Sequence, residues 1–212
     1  MNTVIKYVLA TANPGKVHEM RSILSVLGIE VVTRSELGID IDIEETGTTF
    51  LENAALKAKA ICGISGMPAI ADDSGLIVDA LNGKPGVYSS SFGGEELTSV
   101  ERCVYLLKEI EKSEKAYKKE QRKAKFVCTI VCAYPNGSLL TATGECNGVI
   151  TQEPRGSGGF GYDPVFLPDG RDKTMAELTS EEKNYLSHRG KALINFSEIL
   201  RSYNEDISRM EF

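Results

Sequence analysis

The chain has 212 residues, of which 42% are hydrophobic and 25% charged, and its formal net charge is −6. This mix excludes a disordered chain, and the acidic balance argues against nucleic acid as a partner, because a negative surface repels a long polyanion. The five cysteines form no Cys-x-x-Cys pair and only two histidines accompany them. That argues against zinc and for small buried hydrophobes in a reducing compartment. No apolar run is long enough for a membrane span, and Met1 to Ala10 lacks the pattern of a signal peptide. A cytoplasmic protein of one domain, residues 1–212, is therefore expected.

Tyr7 to Ala10 reads as the end of a buried strand, broken by Thr11 to Gly15. Val17, Met20, Leu24 and Leu27 then recur at helical spacing up to Gly28, and Ile29 to Thr33 follows as a second strand. This β–loop–α–β opening is the unit of parallel α/β sheets. Asp40 to Glu45 is acidic with alternating Ile, and Thr49 to Glu52 is a capping box that starts a helix to about Cys62. Pro68 to Ala71 is a short apolar strand ending in Asp72-Asp73-Ser74-Gly75, with Leu76 to Val78 able to continue as strand. Leu97, Val100, Val104, Leu107 and Ile110 mark an amphipathic helix. Residues 111–125 carry seven basic and three acidic side chains with one aromatic, Tyr117, and read as a solvated helix end and loop. Phe126 to Tyr134, Pro135-Asn136-Gly137 and Leu139 to Thr143 form a hairpin signal, which makes the sheet mixed. Arg155 to Pro164 is a Gly-rich loop, Thr179 to Glu182 caps a short helix, and Leu193, Phe196, Leu200 and Tyr203 stripe a last one.

Five segments carry candidate chemistry. In Thr11-Ala12-Asn13-Pro14-Gly15-Lys16, Asn13 suits the N-cap and Pro14 the first helical position. Lys16 then falls in the first turn, against the helix dipole, and an anion bound there would relieve the conflict. This is not a Walker A loop, because Ala10 and Val17 stand where that motif has Gly and Ser or Thr. In the second segment Asp40, Asp42 and Glu44 share one parity, so a strand would line them on one face, where a divalent cation would offset their repulsion. Asn53 and Lys57, four apart on the following helix, face the same way. Third, Asp72 and Asp73 follow an apolar strand and can divide roles, one binding Mg²⁺ and the other orienting or deprotonating water. Taken alone, Asp-Ser-Gly reads first as plain turn chemistry. Fourth, Phe160 and Tyr162 sit in a run too polar and Gly-rich to bury both, so an aromatic face is available to stack on a base and Asp163 to accept a ring N–H. Fifth, Lys183 and Ser187-His188-Arg189-Gly190-Lys191 supply donors for phosphate or carbonyl oxygens. Each alone also fits an ordinary turn or charged surface. Together they furnish carboxylates for a metal, cations for phosphate and a stacking loop, which are the needs of a nucleoside triphosphate.

In the order and rough spacing of these motifs the chain resembles, almost end to end, the Ham1/RdgB family of inosine triphosphate pyrophosphatases. The resemblance implies an elongated α/β fold, a mixed sheet flanked by helices in two lobes with a central substrate cleft. It also implies Mg²⁺, a homodimer, and hydrolysis of ITP, dITP and XTP, in preference to ATP and GTP, to monophosphate and pyrophosphate. By motif position Thr11, Ala12, Asn13, Pro14, Gly15, Lys16, Ser74, Phe160, Gly161, Tyr162, Asp163, Lys183, His188 and Arg189 would contact substrate. Glu44 and Asp73 would bind the metal, with Glu45 and Asp72 as further candidates, and Asp73 would accept the proton. One departure stands out: Ser90-Ser91 follow Ser89 where members often carry Ala-Arg, so no role is carried to that position.

The expected reaction is one in-line displacement, with water attacking the α-phosphorus while Lys16 and Lys57 offset charge on the leaving group. Arg189, with His188 beside it, is the expected donor to a 6-keto oxygen. Phe160 would stack, and Asp163 would accept the N1 proton. Two rival readings remain: a Maf-like pyrophosphatase for modified pyrimidine nucleotides, and a nucleotide-binding protein without turnover. Neither a nucleic-acid nor a membrane partner is expected.

Overall fold

A computed structural model describes residues 5–113 and 122–210, so residues 114–121 of the basic run, Tyr117 among them, lie outside the described residues. Six strands form one sheet: Tyr7–Leu9 (β1), Val31–Thr33 (β2), Ala69–Val78 (β3), Lys123–Ala133 (β4), Leu139–Ile150 (β5) and Phe166–Pro168 (β6). Their order is β2-β1-β3-β4-β5-β6. β1 pairs in parallel with β2 and β3, and β6 pairs antiparallel with β5, so the sheet is mixed. The helices are Pro14–Val26 (α1), Phe50–Ser65 (α2), Ser99–Lys112 (α3), Ser180–Leu186 (α4) and His188–Met210 (α5). Thr49 with Glu52, Thr98 with Glu101 and Thr179 with Glu182 close reciprocal capping boxes that fix where α2, α3 and α4 begin.

The structure corrects five sequence expectations. Of the basic run read as a solvated helix end and loop, Lys123 to Lys125 open β4 and Arg122 is buried, where its guanidinium donates to the carbonyls of Ile150 and Thr151. β3 does not stop at Ala71; it runs unbroken through Asp72-Asp73-Ser74-Gly75 to Val78. A strand can carry two adjacent acids through its middle because both find cations there, as described below. Asp40 to Glu45 forms no strand, although the alternation survives: Ile39, Ile41 and Ile43 pack on a core while the acids stay exposed. On α3 the buried face is Arg102, Cys103, Leu106, Leu107 and Ile110, whereas Val100 and Val104 are exposed. The helix is thus rotated from the stripe its apolar residues mark, because a buried arginine takes a place on the inner face. β5 continues past Thr143 to Ile150, and β6 follows the Gly-rich loop.

The chain divides into two compact units, and β3, β4 and β5 contribute residues to both. The first comprises Met1–Asp73, Cys128–Gly144 and Arg189–Phe212. Alternate residues of its strands feed two cores. Leu9, Ile70 and Ile130 pack with Met20, Leu24 and Phe196, while Val8, Ala69, Ala71 and Val131 pack with Ala54, Ala58 and Ile61 of α2. The second unit comprises Ser74–Val127 and Glu145–His188, and its core joins Leu76, Val78, Phe126 and Phe166 to Leu106 and Ile110 of α3. All five cysteines are buried. Among the described residues, no helix is long and apolar enough to cross a membrane.

Candidate active site

In the first unit the chemistry gathers around β3. Asp72 and Asp73 are consecutive, so their side chains leave opposite faces of the strand. Asp72 is fully buried. Its Oδ2 accepts hydrogen bonds from Arg189 Nε at 3.2 Å and Nη2 at 3.0 Å, and lies 3.1 Å from Lys16 Nζ. Arg189, itself buried, also donates through Nη1 to Glu19 Oε2 at 2.5 Å. Burial alone would raise the Asp72 carboxyl, but Lys16, Arg189 and Lys57 outweigh it and hold the group well below the usual carboxylate range. The Asn13 side chain caps α1 as expected, accepting from the Lys16 N–H. The anion that relieves Lys16 in its unfavourable first-turn position is the Asp72 carboxylate.

Asp73 faces α2. Its Oδ1 lies 3.3 Å from Lys57 Nζ, and its Oδ2 accepts from Asn53 Nδ2 at 3.3 Å. Lys57 also reaches Glu45 Oε1 at 3.0 Å. Burial pushes the Asp73 carboxyl above its ordinary value, and Lys57 and Lys16 only partly oppose it. Burial would likewise lower Lys57, but the charges of Asp73, Asp72 and Glu45 prevail and raise it. A carboxylate with a raised pKa is the stronger base. Four carboxylates (Glu19, Glu45, Asp72, Asp73) meet three cations (Lys16, Lys57, Arg189), which leaves one formal negative charge. A divalent cation is welcome in such a site, whereas a bare polyanion is not.

The donors suit Mg²⁺ in kind. Asp73 and Glu45 already converge on one cationic atom, Lys57 Nζ. Mg²⁺ commonly takes one or two carboxylates and completes its shell with water and substrate phosphates. No three such side chains cluster among the described residues, so the protein alone offers no closed cage. Glu44 is exposed on the same loop, and the carboxylate that meets Lys57 is that of Glu45. Of the remaining first-unit candidates, Thr11 is buried and its hydroxyl accepts from the Asn13 N–H, Ala12, Asn13 and Pro14 are exposed, and Gly15 is half-buried.

In the second unit the Gly-rich loop carries a tight polar knot. Asp163 Oδ2 accepts from the Phe160 N–H at 2.8 Å and from Lys183 Nζ at 2.5 Å, and that same ammonium lies 4.8 Å from the centre of the Phe160 ring. Asp163 and Lys183 are buried and Phe160 half-buried. Gly159 has a φ of +70°, and a Cβ there would collide with Asp163 Oδ2 and Lys183 Nζ, so only glycine fits. The two aromatics divide: Tyr162 turns into the core, its hydroxyl donating to Ser89 O at 2.9 Å, and the Phe160 ring stays at the surface. Gly161 and Ser74 are half-buried, and the Gly161 carbonyl accepts from Cys103 Sγ. His188 is buried and stacks on Phe126, ring centres 4.6 Å apart.

The guanidinium of Arg189, the residue expected to read a base, pairs with Asp72 and Glu19. Glu19 escaped the sequence reading, although its position three residues after Lys16 on one helix face was the available signal. Removing the cation from this buried triad takes a charged partner from two buried carboxylates, of which Asp72 keeps Lys16, so Arg189→Met is expected to destabilise the fold by about 3 kcal/mol. Urea unfolding of the variant checks this, and a midpoint unchanged from the parent would show that the triad contributes nothing to stability.

The architecture is thus a mixed-sheet α/β fold with one carboxylate–cation centre and one loop that pairs an aromatic face with a salt bridge. The chain belongs to the Ham1 family, whose profile matches residues 7–199. It is 48% identical over 199 residues to a dITP/XTP pyrophosphatase of Shigella flexneri, covering 93% of this chain and 98% of that one. A dITP/XTP pyrophosphatase of Bacillus subtilis is 46% identical over 195 residues, covering 92% and 96%. Among solved structures, a HAM1 protein from Coxiella burnetii superposes with a TM-score of 0.83 at 42% identity, covering 93% of this chain and 99% of that one.

Proposed function

We propose that this chain is a Mg²⁺-dependent nucleoside triphosphate pyrophosphatase that converts dITP, ITP and XTP to the monophosphate and pyrophosphate. The observation that carries the reading is the buried Asp73 carboxylate, 3.3 Å from Lys57, which also meets Glu45. The names of the relatives support the substrate class. Asp73 takes the proton of a water whose oxygen attacks the α-phosphorus. The bond from that phosphorus to the bridging oxygen of the β-phosphate breaks, and pyrophosphate leaves. Lys16 and Lys57 offset the charge that builds on the departing oxygens, a positioning and electrostatic role that dominates phosphoryl transfer. Asp73 and Glu45 would hold Mg²⁺, which supplies positive charge to the phosphoryl oxygens.

Lys183 and Asp163 form the base-reading pair in this proposal. A 6-keto purine displays an acceptor at O6 beside a donor at N1, which matches an ammonium beside a carboxylate. Adenine displays the reverse. Phe160 offers the stacking face.

Product identity tests the reaction. Purified protein with Mg²⁺ and dITP should release pyrophosphate and monophosphate in equal amounts. Accumulation of the diphosphate with free phosphate would mean attack at the γ-phosphorus and would end this reading.

A further inference from the structure

Asn53 is 2% exposed and sits one helical turn before Lys57 on α2. The two side chains do parallel work. Lys57 joins Glu45 to Asp73. Asn53 joins Gly47 to Asp73: its Oδ1 accepts from the Gly47 N–H at 2.8 Å, and its Nδ2 donates to Asp73 Oδ2 at 3.3 Å. The orientation of the carboxamide is dictated by its neighbours. A backbone N–H can only donate, so the oxygen must face Gly47, which leaves the NH₂ for the carboxylate. Gly47 is suited to this contact, because a Cβ there would lie 2.6 Å from Asn53 Oδ1 and 2.6 Å from Glu52 Cβ. Glu52 pins the same segment from the other side, accepting from the Thr48 and Thr49 N–H groups.

We propose that Asn53 is a positioning residue that keeps Asp73 and the Glu45–Gly47 segment in register through its bridging carboxamide. The inference rests on the reading of Asp73 as the proton acceptor. Its logic lies in the difference between the two bridges. Lys57 is a charged, flexible link that phosphates compete for, so its hold on Glu45 and Asp73 weakens when substrate arrives. Asn53 is neutral and buried, has no claim on phosphate, and stays in place while Lys57 turns to the leaving group. Without it the two carboxylates would lose their spacing at the moment they are needed.

Two variants separate this role from mere packing. Asn53→Ala removes both hydrogen bonds. Asn53→Asp keeps an acceptor for Gly47 but sets an oxygen against Asp73. For dITP hydrolysis, Asn53→Ala is expected to lower kcat by about 10–100-fold, the usual cost of losing a partner that orients a functional carboxylate, with KM changed by less than about threefold. Asn53→Asp should be at least as slow, although it resembles asparagine most closely in shape. Each variant is assayed well below its melting temperature, so that a loss of fold is not read as a loss of turnover. Amide hydrogen exchange at Gly47 gives a readout apart from catalysis: protected in the parent and in Asn53→Asp, and fast in Asn53→Ala. If Asn53→Asp turns over like the parent, or Gly47 exchange is the same in all three proteins, the proposal is wrong. A parent protein that leaves dITP intact would defeat the pyrophosphatase reading instead, and the Gly47 exchange pattern would still decide whether Asn53 bridges.

Discussion

Asp73→Asn is expected to lower kcat for dITP by about 10²–10⁴-fold, the typical loss when a general base is removed. The amide has no basic oxygen to receive the proton, and it is a weak ligand for a hard cation. The geometry adds a second, smaller effect. Both oxygens of Asp73 face donors, Lys57 on one side and Asn53 on the other. Asparagine has a single oxygen, so its NH₂ must face one of those donors, and the Gly47 N–H prevents Asn53 from turning to compensate. A buried donor–donor contact costs about 1–3 kcal/mol. The variant should therefore unfold at lower urea than the parent while remaining folded under assay conditions. A folded Asp73→Asn protein with near-normal kcat would remove Asp73 from the reaction.

Asp163→Asn is expected to collapse base discrimination. The Phe160 N–H and Lys183 both donate to one oxygen of Asp163, so the new carboxamide must direct its oxygen to them. That turns its NH₂ toward the base. In the proposed base-reading role, an acceptor for the N1–H of a 6-keto purine would thus become a donor, which clashes with hypoxanthine and matches the N1 lone pair of adenine. Sites that read a substrate by hydrogen bonds reach discrimination of about 10⁴–10⁵-fold, because the wrong partner leaves buried groups unpaired. Reversing one such bond should shrink the ratio of kcat/KM for ITP over ATP by about 10³-fold, mostly through loss on ITP. Guanine shares the 6-keto oxygen and the N1 proton, so the ratio of GTP to ITP should move far less. Parallel assays of the three nucleotides decide the matter. If ITP and ATP slow by the same factor, Asp163 serves the loop's structure and does not read the base.

The sequence was most readable where local chemistry acts alone. Capping boxes at Thr49 and Thr179 and the N-cap at Asn13 appear where the residues placed them, because each depends on atoms within one helical turn. The β–loop–α–β opening and the hairpin were legible for the same reason. The path of β3 was not. Asp72-Asp73-Ser74-Gly75 has the composition of a turn, and it stays extended because Lys16, Lys57 and Arg189, all distant in sequence, supply the charges that let two acids lie inside a strand. Arg102 misled in a similar way. It lies on the inner face of α3, where its guanidinium donates to the carbonyls of Phe92, Gly94 and Leu97, and polarity alone assigns an arginine to solvent. The candidate residues were named from motifs, but their pairings were not: Asp163 with Lys183, Asp72 with Arg189, and Asp73 with Asn53 are contacts set by the tertiary fold.

The burial of the thiols has a practical consequence. Cys103, Cys128 and Cys132 are pushed up to about 12 by burial, and Cys62 and Cys146 are buried as well. The thiolate is the nucleophile that attacks an alkylating reagent, and the reagent must reach it, so the native chain should be nearly silent toward a maleimide while folded. One cysteine introduced at an exposed site, for example Ser25→Cys on α1, would then carry a fluorophore or spin label at a single known position. No cysteine-free background would be needed, and every native side chain around β3 would remain in place while distances and motions are measured.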